Sequence, residues 1–529
     1  MSAVAARAGL APAHDPYAHR YLIAAAVSVA SMLQVIDTSI VNVAIPNMMG
    51  SLGATIDEIS LVSTGYIVAS VIVIPLTGWL ADFFGRRRYF AGSILLFTAA
   101  SFFCGTAGSL NTLVVWRIIQ GIGGGALLST SQAILYEAFP KEEVGKGLAL
   151  WGLGVMVGPT LGPTLGGWLT DNYSWPWIFF INVPLGVIAA LMVMAYVKDS
   201  ADAVSARGRA VDWTGIVLLT VSVGALQWML ERGEHYDWFD SRLVVALLVV
   251  AVVGGAALVW RELTIEHPVI DFRLLKQVQF TVGTIMGIIL GAGLMGSVFV
   301  LPIFLQSNLR MTAWQTGMVL LPGALATAVA MSAVGRLSSK MDNRILVVVG
   351  ALLFGWAMWD LSHLTTQSGP DDFFWPLILR GFGLGLMFIP LTNLTMAEVS
   401  PGDMAQGSGL YNFFRQLGGS FSIAVMASML TRFAQEKYAM LVPHVSMYDA
   451  ATRQRLAGMA SAMTARGMDP FTAQKQAIAM LQRTVQAQAS VLAFEKIYLL
   501  SGAILVGSLP LLLLFRTGRP GHKVEIAGE

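Results

Sequence analysis

The sequence predicts an all-α membrane protein of fourteen transmembrane helices, two six-helix bundles with two further helices inserted between them. Three observations predict it. Of 529 residues, 55% are hydrophobic and only 12% are charged, with a mean hydropathy of +0.67, far outside the soluble range. Apolar runs long enough to cross about 30 Å of hydrocarbon recur from end to end. The two halves also echo each other weakly, as the repeats of transporters do. Lipid cannot satisfy open strands or loops, so each apolar run must be a helix.

Span 1, near residues 20–43, follows a polar, Ala-rich stretch without a cleavable signal pattern and serves as its own insertion signal. It carries Asp37, with Asn42 one turn further on. An ionised acid at that depth costs roughly 2.5–3.5 kcal/mol, so it faces a cavity or a partner. Desolvation favours its protonated form and a nearby cation its charged form. A carboxyl balanced in this way can take up a proton on one side and release it on the other. A permanent structural ion pair is the alternative reading.

Spans 2 and 3, near 58–80 and 89–108, are joined by Gly78-Trp-Leu-Ala-Asp82-Phe-Phe-Gly85-Arg86-Arg87-Arg88, a tight turn with an acid, a Gly break and three cations. Such a charge-pinned hairpin suits a protein that holds one conformation and releases it. Span 4 (111–136) contains Arg117, which cannot lose its charge, and Gln120. Either Asp37 or a bound solute must compensate this Arg. Span 5 (145–170) holds Gly154, Gly158-Pro159, Gly162-Pro163 and Gly166-Gly167 at four-residue intervals. Small residues so spaced let helix backbones approach closely, and the prolines kink the helix. Span 6 lies near 177–197.

Spans 7 and 8 (212–231 and 242–260) form the insertion, because the repeat resumes only after them. Gly78-x-Leu80 is echoed by Gly335-x-Leu337, and Trp116-Arg117 by Leu379-Arg380, at nearly equal offsets. Spans 9 to 11 lie near 279–305, 313–335 and 344–363; Asp360 and His363, near the outer end of span 11, read as interfacial. Span 12 (374–397) contains Arg380, which either lines a cavity or snorkels to the outer interface. Span 13 (405–431) contains Asn412, Arg415 and Gln416. A path lined by Asn42, Gln120, Arg380, Asn412, Arg415 and Gln416, with many Met and Phe, suits amphipathic or anionic organic solutes. A polar stretch at 433–492 reads as short amphipathic helices on the outer face, either a solvated cap or a docking surface. Span 14 is 493–515.

The expected organisation is a tail (1–19), a first bundle (20–197), two inserted helices with linkers (198–276), a second bundle (277–515) and a tail (516–529). Orientation follows from basic residues in short loops. On one side stand Arg86, Arg87, Arg88, Lys141, Lys146, Lys198, Arg207, Arg209, Arg261, Arg273, Lys276, Arg336, Lys340 and Arg344; the other side has Arg232, Arg242 and Arg310. Both termini are therefore expected in the cytoplasm, and the tail after span 14 is again basic (Arg516, Arg519, Lys523). A net charge of +2 offers no case for nucleic-acid binding. The single Cys104 lies inside span 3, so no intramolecular disulfide can form. No ATP-binding loop is present, His363 lacks the clustered partners of a metal site, and no cofactor is expected. Energy must come from a gradient, and a proton crossing the membrane contributes about 2.3 kcal/mol per 100 mV.

These motifs carry a resemblance. Gly78 to Arg88 resembles the hallmark loop of the major facilitator superfamily, and Asp37 to Pro46 is similar to the first-span signature of its fourteen-helix drug:proton antiporters. Leu113 to Gly125 resembles the fourth-span motif whose Arg is tied to proton transfer, and Gly154 to Gly167 the fifth-span motif of antiporters. Trp175 to Pro184, Leu230 to Trp238 and Asn412 to Arg415 narrow it to the EmrB-type permeases. The resemblance implies the major facilitator fold and proton-coupled efflux of hydrophobic toxicants from the inner membrane of Gram-negative bacteria. It implies an EmrA-type periplasmic adaptor and a TolC-like outer-membrane channel as partners. Asp37 and Arg117 would couple protons. Asp82 would lock the cytoplasmic side against the start of span 13, near Asp403 to Gln406, with Gly85 making the turn and Arg86 and Arg87 adding charge contacts. Ser339 stands where a second such acid would be, so no symmetrical second lock is expected. The rival readings are an exporter dedicated to one metabolite (an antibiotic, siderophore or fatty acid) and a non-transporting membrane sensor.

Overall fold

The structure, a computed structural model, describes residues 19–140, 143–198, 212–266, 268–338, 340–400, 402–446 and 448–515. Residues 1–18 and 516–529, Lys141, Arg207, Arg209 and Ser339 lie outside the described residues, as do the side chains of Asn42, Pro159, Pro163 and Arg336.

Local chemistry sets the helix ends. Helix α1 (Arg20–Leu52) stops at Gly53, whose φ of 63° is left-handed. A capping box of Thr55 and Glu58 starts α2 (Ile56–Val73). Pro75 then tightens one turn, and the chain continues as α3 (Thr77–Phe84). Gly85, at φ 88°, makes the sharp turn into α4 (Arg86–Gly105), a conformation that a side chain would strain. The Ser109 hydroxyl caps α5 (Leu110–Ala138), which leads to α6 (Val144–Asn172). Span 6 is two pieces, α7 (Trp177–Phe180) and α8 (Asn182–Tyr196). Asp212 caps α9 (Trp213–Arg232), which pairs with α10 (Arg242–Thr264). The remaining spans are α11 (Val278–Ile303), α12 (Ala313–Leu337), α13 (Asn343–Leu361) and α14 (Pro370–Met396). After them come α15 (Met404–Leu441), α16 (Ala450–Thr464) and α17 (Pro470–Gly507).

Among the described residues, thirteen helical stretches are long and apolar enough to cross a membrane; α6, 29 residues long, supplies the fourteenth. This is a multi-pass membrane protein. The end that carries Arg86–Arg88 is called the inner end here, by the charge rule.

The polar stretch at 433–492 differs from expectation. Instead of several short helices, α15 runs on to Leu441 and α17 begins as early as Pro470, each 38 residues long, so that only α16 is short. Ala, Gln and Met are strong helix formers, and Asp469 with Pro470 makes an ideal helix start. Both membrane helices therefore propagate well past the bilayer.

Helices α1, α2, α4, α5, α6 and α8 pack mutually, as do α11, α12, α13, α14, α15 and α17. The two groups meet chiefly along α6 with α12, and where α15 crosses α3 and α5. Helix α9 lies on both α2 and α15.

Candidate functional site

The first site is built on α1 by the neighbours that surround it. Glycines of α6 let α1 come close: a Cβ on Gly158 would sit 2.7 Å from Val35, and one on Gly166 would sit 2.8 Å from Ile40. Gly154 and Gly162 face Ser28 and Ser39 in the same way, whereas Gly167 points away and would meet only Val43 at 4.0 Å. The ladder thus holds α1 in place and fixes the height of Asp37, which is fully buried.

Arg117 of α5, 1% exposed, meets Asp37 there. Its Nη1 donates to Asp37 Oδ2 at 2.6 Å and to Gln120 Oε1 at 2.8 Å; its Nε donates to the Val62 carbonyl of α2 at 3.2 Å. The guanidinium lies over the Tyr66 ring, 4.3 Å from its centroid, a cation–π contact. The other carboxylate oxygen, Oδ1, accepts from Gln120 Nε2 at 2.9 Å and from Asn182 Nδ2 at 3.2 Å. Asn182, the first residue of α8, also donates to Ser101 of α4 at 3.1 Å. Five helices thus converge on one carboxylate. A buried ion pair is tolerated only when its remaining hydrogen-bonding capacity is met, and here it is. Adding a proton removes the charge that compensates Arg117 and leaves several donors facing a neutral acid.

Sequence reasoning placed Asp37, Arg117 and Gln120 in this region, but put Gln120 on the substrate path; the structure sets it on Asp37. It missed Asn182, Tyr66, Ser101 and the Val62 carbonyl. Asn182 lies inside the stretch Trp175 to Pro184 that carried the resemblance, and that was its only signal.

The other expected residues fall in two places. Asn412 of α15 donates to Gln132 of α5 at 2.6 Å, across the two groups of helices, and Arg415 Nη2 donates to Asn412 Oδ1 at 2.5 Å. Arg415 also stacks over Phe388 at 4.6 Å. Gln416 is half-buried on the same helix. Arg380 is separate: it is buried in α14, and Nη1 reaches only the Ser297 carbonyl of α11, at 3.4 Å. It therefore does not snorkel to the outer interface, and no acid pairs with it or with Arg415 among the described residues. A cavity of about 590 Å³ opens at the outer end between α12 and α14, lined by Arg310, Met311, Trp314, Met318, Asp371 and Phe374. None of its lining residues belongs to the Asp37 network.

At the inner end, Gly78 of α3 abuts the first turn of α15, where a Cβ would lie 2.8 Å from Gln406 Cα. Asp82 is half-buried on α3, and Arg86 forms an ion pair with Glu137 at the end of α5. Arg87 is exposed.

The sequence profile described as Major Facilitator Superfamily matches residues 27–423. The multidrug export protein EmrB of Escherichia coli (strain K12) is 34% identical over 481 residues, covering 90% of this chain and 92% of its own. The fatty acid resistance protein FarB of Neisseria gonorrhoeae is 32% identical over 500 residues, covering 94% and 97%. Among solved structures, a double-Trp mutant of XylE aligns with a TM-score of 0.59 at 13% identity, over 94% of this chain and 99% of that one. That likeness bears on the fold.

Proposed function

This chain belongs to the Major Facilitator Superfamily, in its EmrB-type branch, and from that premise we propose that it is a proton-coupled exporter of hydrophobic or amphipathic toxicants. It is a transporter and not an enzyme. One observation carries the coupling: the fully buried Asp37 carboxylate, bonded to Arg117 at 2.6 Å and to two amides. Protonating Asp37 from the outer side neutralises the partner of Arg117 and loosens α1 from α5. The bundles spanning 20–197 and 277–515 then rock about the α6–α12 contact, and α3 parts from α15 at the inner end. Deprotonation towards the inner side restores the pair.

The same reading places the chain in a bacterial inner membrane with both termini cytoplasmic, as the permease of a tripartite pump. The outer extensions of α15 and α17, with α16 between them, are the natural contact for an EmrA-type adaptor leading to a TolC-like channel. A second reading has its own support. Arg380 and Arg415 have no acidic partner among the described residues, and one relative is a fatty acid resistance protein, which favours an exporter dedicated to a carboxylate-bearing lipid.

The test is transport of a fluorescent hydrophobic dye in proteoliposomes under an imposed pH gradient, with wild type and Asp37→Asn compared. Gradient-driven movement in the wild type that is lost in the variant supports the reading. Equal movement in both shifts the proton carrier elsewhere, and a fatty acid competing against the dye separates the two substrate readings.

A further inference from the structure

The inserted hairpin holds an acid that this mechanism does not use. Glu231 is the penultimate residue of α9, at the outer end of the helix, and is only partly exposed. Gln227 Nε2 donates to its Oε1 at 3.1 Å, and no other described group bonds to it. The same Nε2 donates to Ser420 Oγ of α15 at 2.9 Å, so Glu231, Gln227 and Ser420 form one chain of polar groups running into the second group of helices. Gln227 is fully buried, and its Oε1 has no partner.

The charges nearby are committed elsewhere. Glu58 of α2 is held in its capping box by Thr55. Arg432 of α15 acts on Glu234, which also bonds to Ser428, Thr431 and Trp238. Arg232 bonds to Ser60 of α2 and lies 5.9 Å from the Tyr236 ring centroid. Neither these cations nor Arg242 of α10 forms an ion pair with Glu231 among the described residues, and the side chain of Asp57 lies outside them.

We propose that Glu231 is a second proton-binding carboxyl, and that Gln227 and Ser420 couple its charge state to the contact between α9 and α15. The chemistry of the three groups is suited to two states. With Glu231 ionised, Gln227 gives both of its N–H donors away and its carbonyl stays unpaired. A proton added to a Glu231 oxygen turns the acid into a donor. A half-turn of the amide then brings Gln227 Oε1 to accept from Glu231, while the Ser420 hydroxyl rotates to donate to the same oxygen. The proton comes from the outer aqueous side and returns to it; no other bond is made or broken. The flip carries the Gln227 N–H groups to the place its carbonyl held, so each state leaves one end of this buried amide unpaired among the described residues, and the charge on Glu231 decides which end that is. Helix α9 touches both halves, through Arg232 and Ser60 on α2 and through Gln227 and Ser420 on α15. A change in this network therefore acts where the two halves separate at the outer end.

The experiment is pH-difference infrared spectroscopy of the full chain in lipid nanodiscs, for wild type, Asp37→Asn, Glu231→Gln and Glu231→Asp. The expected result is a protonated-carboxyl band that grows on acidification, persists in Asp37→Asn, disappears in Glu231→Gln and returns at a shifted midpoint in Glu231→Asp. Identical spectra for wild type and Glu231→Gln overturn the proposal. Should Glu231→Gln fail to fold, Ser420→Ala serves instead: a moved midpoint supports the network and an unmoved one overturns it. The readout is titration and not transport. Failure of the exporter reading would appear separately, as a wild type that moves no dye while this band pattern stays.

Discussion

At the scale of single residues, the carboxylate of Asp37 is set by its donors as much as by Arg117. Gln120 and Asn182 both donate to Oδ1 and hold the carboxyl in register with Arg117. Removing one, as in Asn182→Ala or Gln120→Ala, takes away a charge-assisted bond and leaves a buried oxygen short of a donor, a loss of about 1–3 kcal/mol. Gradient-driven dye transport should therefore fall severalfold in either variant, while Asp37→Asn abolishes it. Transport at the wild-type rate in both would mean that the cage is scaffolding. The Asp37–Arg117 couple was legible in the sequence because an acid and an Arg stand out within apolar runs. Its other partners were not. Val62 contributes a backbone carbonyl 55 residues from Arg117, and Asn182 is a neutral amide 145 residues from Asp37, so neither leaves a periodic or compositional trace.

At the scale of elements, the α9–α10 hairpin is pinned at its inner end by Asp212 and Arg261. Burial alone would raise the Asp212 pKa, but the Arg261 guanidinium and the Gly215 amide outweigh it and hold the carboxyl below the usual range. Arg261 Nη2 donates at 2.7 Å and Nε at 2.9 Å, a two-pronged contact to a nearly buried acid. A group with a depressed folded-state pKa contributes stability above its unfolded value and loses it as pH falls through the folded one. The clamp is therefore intact from neutrality down to about pH 4. Arg261→Ala should lower the melting temperature in detergent at both pH 7 and pH 5. A deficit that vanished at pH 5 would show that the carboxyl titrates higher than its surroundings imply. Element identity was readable from apolar length, yet the breaks were not. Span 2 yields at Pro75 and span 6 at Ile181, three residues before Pro184, prolines that are visible in the sequence but ordinary in membrane helices. The overrun of α15 and α17 was hidden because a polar helix beyond the membrane looks, by composition, like a loop.

At the scale of the whole molecule, the arrangement of cross-contacts identifies the face that is shut. Asn412 with Gln132, Tyr136 with Asn393, and Gly78 with Gln406 all lie towards the inner ends of their helices. Besides these, α6 and α12 touch at both ends, Gly145 near Gly335 inside and Gly317 near Thr164 outside, which suits an axis about which the halves turn. Closure of the inner face then depends on how closely α3 approaches α15, and that approach is permitted by the missing side chain of Gly78. A Cβ there would lie 2.8 Å from Gln406 Cα and 2.9 Å from its amide nitrogen, backbone atoms that cannot swing aside. Gly78→Val should therefore disfavour the closed inner face without touching Asp37 or its partners. The single native cysteine, Cys104, is buried within α4, so a reporter is simple to install: Cys104→Ala with Asn393→Cys, at the inner end of α14. Alkylation of that reporter by a water-soluble maleimide should rise severalfold when Gly78→Val is added, and transport should fall with it. Labelling unchanged by Gly78→Val would mean that the α3–α15 contact does not govern the inner opening. Control would then rest with the α6–α12 seam, where Gly145 and Gly335 meet.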